Sequence, residues 1–249
     1  MRRIRFEPAQ GQMAGSLTQI PAFPGERFGL GFPEAIGDAA RTCWFGSLTP
    51  HWEQQADSDV WKCTGRKEGE LAYTIVITPY EDMVDARFTL TNESRRTWSH
   101  SLAFNCFQCG AAASVRDHEC TRHWVRTGGA FKRLIEVPRV FGPRPAIQLY
   151  SVEGAPLGRD IAFVAGFKAT PDVVLEPWMA IQSRDGKRLA ATVSMPCLFL
   201  FQNMEYSCIH SAAGFGRLGP GETGKAVNEV YFVEASLGDW YRRMKADLG

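Results

Sequence analysis

Long apolar runs are missing from this sequence, and that absence excludes a helical membrane span. The most apolar stretch, Cys197-Leu198-Phe199-Leu200-Phe201, has only the length of a strand. Surplus charge is missing as well. Twenty-eight Lys and Arg against 27 Asp and Glu leave a formal charge of +1 over 249 residues. Nothing resembles the basic stripe that neutralises a nucleic-acid backbone, and the arginines at 2, 3 and 5 read as a solvated end. There is no Gly-x-Ser-x-Gly elbow and no Gly-rich phosphate loop, so α/β-hydrolase and nucleotide-dependent readings lack their defining turns. The seven cysteines (43, 63, 106, 109, 120, 197 and 208) are odd in number, and several fall inside apolar strand patterns. That fits reduced, buried thiols better than a disulfide framework. The N-terminus carries charge but no apolar segment of a secretory signal, so the expected location is cytoplasmic.

What is present is alternation with a period of two. Asp82 to Asn92 places Val84, Ala86, Phe88 and Leu90 on one face and Asp85, Arg87, Thr89 and Thr91 on the other, the pattern of a half-buried antiparallel strand. Leu71 to Thr78 precedes it through Pro79-Tyr80-Glu81-Asp82, giving a hairpin, and Trp98 to Cys109 follows as the third strand of an expected meander. Further strands are predicted over 147–152, 161–167, 178–183, 189–194, 197–202, 205–211 and 227–234. Asp185-Gly186 marks a hairpin between the third and fourth of these, because glycine accepts positive φ. One helix is predicted. Ser236 with Asp239 reads as a capping box, and Leu237, Trp240, Tyr241, Met244 and Leu248 recur at helical spacing. The Gly- and Pro-rich stretch Pro21 to Pro50 reads as a long ordered loop. The expected fold is all-β: a large antiparallel β-sandwich with a C-terminal amphipathic helix, a single domain over 1–249 with a loop-rich N-terminal segment 8–58.

Three features carry a family resemblance. One is the strand ending Leu90-Thr91-Asn92, followed by Glu93-Ser94 and a Trp-containing strand. The second is the late turn Leu218-Gly219-Pro220-Gly221-Glu222 ahead of the last strand, and the third is Cys208-Ile209-His210-Ser211 beside that turn. From about residue 59 onward the chain resembles galactose-mutarotase-like sandwich proteins of bacterial sugar utilisation. The resemblance implies the galactose-mutarotase-like supersandwich and a carbohydrate ligand. The catalytic motifs of the mutarotases do not align residue by residue onto this chain, so the reaction stays open.

Five histidines and their neighbouring acids hold the candidate chemistry. Asp117-His118-Glu119-Cys120-Thr121-Arg122-His123 is the densest cluster. Its two histidines are five apart rather than the four that a zinc-protease helix requires. Read as a strand, it places Asp117, Glu119, Thr121 and His123 on one face and His118, Cys120 and Arg122 on the other, so that Glu119 and His123 converge on a ligand held by Arg122 or Arg116. A polar, solvated strand edge is the competing account. His210 shares a face with Tyr206 and Cys208 and is flanked by small residues, 211–214, read as a loop that leaves room for a ligand. An imidazole there can pass protons near neutrality, although a histidine in an apolar strand is more often a core residue. His100 is a further binding candidate, and His51 sits in the aromatic N-terminal segment. Cys106 and Cys109 end a strand without a second spaced pair, so no metal and no cofactor is expected. Of the seven tryptophans, Trp124 beside Arg122 and Trp178 beside Glu176 are candidate sugar platforms, whereas 61, 98 and 240 read as core.

Two functional readings follow. In the first, His210 or His123 with Glu119 acts as an acid/base pair on a sugar in a pocket on the concave sheet face, in an epimerase, mutarotase or lyase type of reaction. His118, Arg122, Trp124, Glu176, Trp178 and His100 then bind the substrate. In the second, the same surface binds a carbohydrate or a protein partner without chemistry, as a module or complex subunit. The expected partner is a small-molecule carbohydrate, with neither nucleic acid nor membrane, and with self-association into a homo-oligomer left open.

Overall fold

A computed structural model describes residues 3–41, 43–44, 48, 50–56, 58–140, 147–164, 166 and 168–248. In chain order the strands begin with β1 (Arg5–Pro8), β2 (Ala14–Thr18), β3 (Phe28–Asp38), β4 (Cys43–Trp44), β5 (His51–Gln54) and β6 (Trp61–Lys67). They continue with β7 (Leu71–Pro79), β8 (Met83–Asn92), β9 (Trp98–Gln108), β10 (His123–Thr127), β11 (Ala130–Arg133) and β12 (Ile147–Val152). The last are β13 (Ala169–Leu175), β14 (Trp178–Gln182), β15 (Leu189–Met195), β16 (Cys197–Asn203), β17 (Cys208–Leu218) and β18 (Thr223–Val233), before helix α1 (Leu237–Leu248).

Two nine-stranded sheets contain all of these strands. Sheet A runs β1-β2-β3-β9-β17-β16-β12-β13 with β4 beside β3, and sheet B runs β11-β10-β14-β15-β18-β8-β7-β6-β5. Pairing is antiparallel throughout except for the parallel pair β12–β13. The period-two pattern of β8 does what it predicts: Val84, Ala86, Phe88 and Leu90 all enter the main core. That core lies between the sheets, where Phe232 of β18 meets Phe28 and Phe107 of sheet A at ring-centroid distances of 4.8 and 5.6 Å. Each sheet also buries part of its outer face. On sheet B, α1 presses Trp240 and Met244 onto Trp178, Val193 and Tyr231. Its first turn is capped as expected, Asp239 N donating to Ser236 Oγ at 3.1 Å. On sheet A, a second apolar cluster gathers Phe104, Phe163, Phe199 and Phe201.

Several expected elements differ. The meander fails at its third strand: β7 and β8 pair in sheet B, but β9 crosses to sheet A between β3 and β17. Asn92 organises the crossing, its side chain donating to Arg96 O and Leu218 O and accepting from Ser94. The expected strand over 161–167 is irregular where described, residues 165 and 167 lying outside the described set, and Ala169–Leu175 pairs in its place. The apolar side chains of Ile161 and Phe163 do reach the outer cluster, which explains the strand-like pattern. The segment 205–211 is a turn up to Ser207, and the strand then extends through the small residues 211–214 that read as a loop. The N-terminal segment 8–58 is not chiefly loop, since it contributes β2, β3 and β5. Glycine misled there. In β3, Gly29 is small because a Cβ would stand 2.5 Å from Gln108 Oε1, a close approach rather than a turn.

Residues 117–122 are a turn rather than a strand, and β10 begins only at His123. Asp117 ties the turn together, accepting from Arg122 N at 2.7 Å and facing His123 Nδ1 at 3.0 Å. Burial pushes its carboxyl up, but the bonds from His123 and the Arg122 backbone outweigh this and hold it at about 2. A carboxyl lowered in the folded state stabilises above its unfolded pKa, and that contribution is lost as pH falls through the folded value. Between the sheets, Asn228 Nδ2 donates toward Ser194 Oγ and Ser211 Oγ, each at 2.7 Å, joining sheet B to sheet A through a wholly buried polar network.

Two stability measurements check these assignments. In urea titrations Asn228→Ala is expected to lose about 1–3 kcal/mol, because it strands buried hydroxyls. Between about pH 4 and pH 2 the wild type should lose on the order of 1–2 kcal/mol that Asp117→Asn, already weakened at neutral pH, does not.

Candidate functional site

A cavity of about 900 Å³ opens on the outer face of sheet A, over β2, β3, β9 and β17. Its position follows from the pleat of β17. Ile209 and Ala213 enter the inter-sheet core, so Cys208 and His210 must point outward. His210 is 2% exposed and packs face to face on Phe104, with centroids 4.7 Å apart and planes 6° from parallel. Phe201 meets it edge-on at 4.7 Å. Two aromatic rings therefore fix the imidazole plane.

The carboxylate partner of His210 is Glu34, at 3.6 Å from Nε2. Glu34 sits in β3 where the register against β9 shifts between Gly31 and Ala35. Such a bulge re-aims a side chain, and here it turns an acid toward the cavity. Burial pushes the Glu34 carboxyl up, but hydrogen bonding and charge from His210, with a bond from Cys106, bring it below the ordinary carboxylate value. Burial lowers His210, while Cys208 and Glu34 raise it, and the outcome is an imidazole more basic than usual. The two shifts agree in direction: each group favours the charged form of the other, an imidazolium beside a carboxylate.

Two thiols complete the floor. Cys106 and Cys208 lie on neighbouring strands, and their sulfurs and a ring nitrogen of His210 all fall within 4.8 Å of one another. A bond from Cys106 outweighs burial to lower the Cys208 thiol, whereas burial drives Cys106 well up. Toward the mouth, Arg27, Gln108 and Asn203 supply polar lining, and Tyr206 stands 65% exposed at the rim.

The residues expected to act with His210 are not brought to it. His123 lies in sheet B, 1% exposed, occupied by Asp117, with burial holding its imidazole below the usual value. Glu119 is an exposed turn residue, and neither lines the cavity. Arg122 spends its guanidinium on carbonyls of Gln182 and Arg116, at 2.7 and 2.6 Å. His118 bonds Met204 O at 2.7 Å outside the lining, and His100 is half-buried near the other end of β9. Trp178 and Trp124 belong to the opposite sheet, and Glu176 to the connection that leads from β13 into it. Glu176 pairs with Arg126 and accepts from Tyr241 of α1 and from Trp178 Nε1, so the trio anchors the helix rather than a sugar. Glu34 escaped the sequence reading because its segment read as loop. The available signal was a lone acid within the apolar run Phe32-Pro33-Glu34-Ala35-Ile36.

No protein-family model matches the chain, and no curated protein matches it in sequence. Solved structures do. A galactose mutarotase-like protein from Lactobacillus casei superposes over 94% of this chain and 98% of its own, with TM-score 0.50 at 11% identity. A galactose mutarotase-like protein from Clostridium acetobutylicum covers 86% of this chain and 81% of its own, with TM-score 0.41 at 11% identity. The GH36 alpha-galactosidase AgaA from Geobacillus stearothermophilus covers 82% of this chain at 10% identity and TM-score 0.43; the chain spans 30% of that enzyme's length. The near end-to-end superposition on the Lactobacillus casei protein establishes the architecture: this chain has the galactose-mutarotase-like β-sandwich fold.

Proposed function

We propose that this protein is a carbohydrate-active acid/base enzyme of the aldose epimerase or mutarotase type, working in the sheet A cavity as a single-domain protein. The carrying observation is the buried His210–Glu34 pair at the cavity floor. The names of the structural neighbours, mutarotase-like proteins among them, support a sugar as the ligand class. A cavity of about 900 Å³ is at the upper end for a small-molecule site and accommodates a monosaccharide with water. Arg27, Gln108 and Asn203 offer donors to the hydroxyls of a sugar ring. Cys63, Cys106, Cys109, Cys120, Cys197 and Cys208 are free and buried, which supports a reducing, cytoplasmic setting.

In this reading Glu34 takes the proton of the anomeric hydroxyl while the His210 imidazolium gives its proton to the ring oxygen. The bond from the anomeric carbon to the ring oxygen breaks as the carbonyl forms. Rotation and the reverse transfers close the ring on the other face, and each residue ends in its starting protonation state. Proton transfer by positioned groups contributes about 10²–10⁴-fold to a rate. His210→Ala and Glu34→Gln are each expected to lower kcat/KM for anomer interconversion by about 10²–10⁴-fold in protein that stays folded, with lowered melting temperatures because each change leaves a buried partner unpaired. Polarimetry or NMR exchange on a panel of aldoses and uronic acids measures it. Sugar binding with no acceleration by the wild type would replace the enzyme reading with a binding one.

A further inference from the structure

The two thiols at the cavity floor play no part in the proton transfers above. Cys208 and His210 are two apart on β17, so the pleat sets both on the cavity side. The registers Ile209↔Phe107 and Ala213↔Ala103 bracket the facing stretch of β9 and bring Cys106 alongside them. Glu34, from β3 on the other side of β9, stands 3.6 Å from His210 Nε2. Three adjacent strands thus converge two sulfurs, an imidazole and a carboxylate on one point.

We propose that Cys106, Cys208 and His210 form a binding site for a thiophilic metal ion of the Zn²⁺ class, with Glu34 as the adjoining carboxylate. The ligand atoms lie within 4.8 Å of one another. Tetrahedral bonds of about 2.3 Å place ligand atoms roughly 3.8 Å apart, so small side-chain rotations close the set. Two sulfurs with one imidazole favour zinc-like over magnesium- or calcium-like ions, whose ligands are oxygens. All three residues are at most 3% exposed, so the strands hold the ligands in place before a metal arrives. Glu34 serves either as a fourth ligand or as the carboxylate that orients a metal-bound histidine, and both roles bring negative charge next to the ion. The cavity leaves a side open to solvent or substrate, the arrangement of three protein ligands plus an exchangeable position. A bound ion would occupy a lone pair of His210, so the metal-loaded and the proton-transferring protein are different states. The site stands on ligand geometry alone and is independent of the sugar reading.

Titration of the reduced, metal-free protein with Co²⁺ under anaerobic conditions tests it. One equivalent should produce a thiolate-to-cobalt charge-transfer band that Zn²⁺ abolishes. Cys106→Ser and Cys208→Ser should each remove most of the band, Cys63→Ala should leave it unchanged, and Glu34→Gln should weaken Co²⁺ binding by about 10–100-fold. Absence of the band, or its persistence in both serine variants, overturns the proposal. Should those variants fail to fold, X-ray absorption on the zinc-loaded wild type decides: two sulfur neighbours near 2.3 Å sustain the site, and a shell of oxygen and nitrogen alone refutes it.

Discussion

The pleat of β17 is the constraint on which the site depends. Its alternate residues serve two environments: Ile209, Ser211 and Ala213 face the sheet B side, while Cys208, His210 and Ala212 face the cavity and the outer apolar cluster. A slip of one residue would exchange the two sets and drive the imidazole into the core. Ser211 guards against that slip. Its hydroxyl lies 2.7 Å from both Asn228 Nδ2 and Ser194 Oγ, and its carbonyl accepts from Ser194 Oγ at 2.8 Å. A fully satisfied polar cluster in a low-dielectric interior is specific because any misregister leaves donors unpaired. The network between the sheets therefore holds the histidine on the far side of one of them.

Part of each outer face is buried, but in different ways. Sheet B is closed by α1, with Trp240 wedged against Trp178 and Tyr231 and the Glu176–Arg126–Tyr241 cluster fastening the edge. Among the described residues no α-helix covers sheet A, and its outer aromatic cluster borders an open cavity. Low dielectric around His210 and Glu34 strengthens their mutual attraction, and each compensates for the burial of the other's charge.

Much of the scaffold was legible from local pattern. The β7–β8 hairpin, β12, the β14–β15 turn at Asp185-Gly186 and the capped helix all appear where period or turn chemistry placed them. The placement of His210 in a strand, on the face it shares with Cys208, was legible because alternation assigns a face without reference to any partner. The partners of His210 were not. Glu119 and His123 are near one another in sequence, yet the turn tied by Asp117 leaves one in solvent and buries the other in sheet B.

By itself the sequence determined the all-β class, the helix at the end and the side of β17 on which His210 lies, because periodicity, capping and glycine turns act over a few residues. Only the tertiary structure decided which strands adjoin. β9 leaves the meander to stand between β3 and β17, and that placement brings Glu34 and Cys106 to His210 across 176 and 104 residues of chain (210 − 34 and 210 − 106). Hydrogen-bond pairing between strands is indifferent to separation along the chain, so a site built across three strands leaves no local signature.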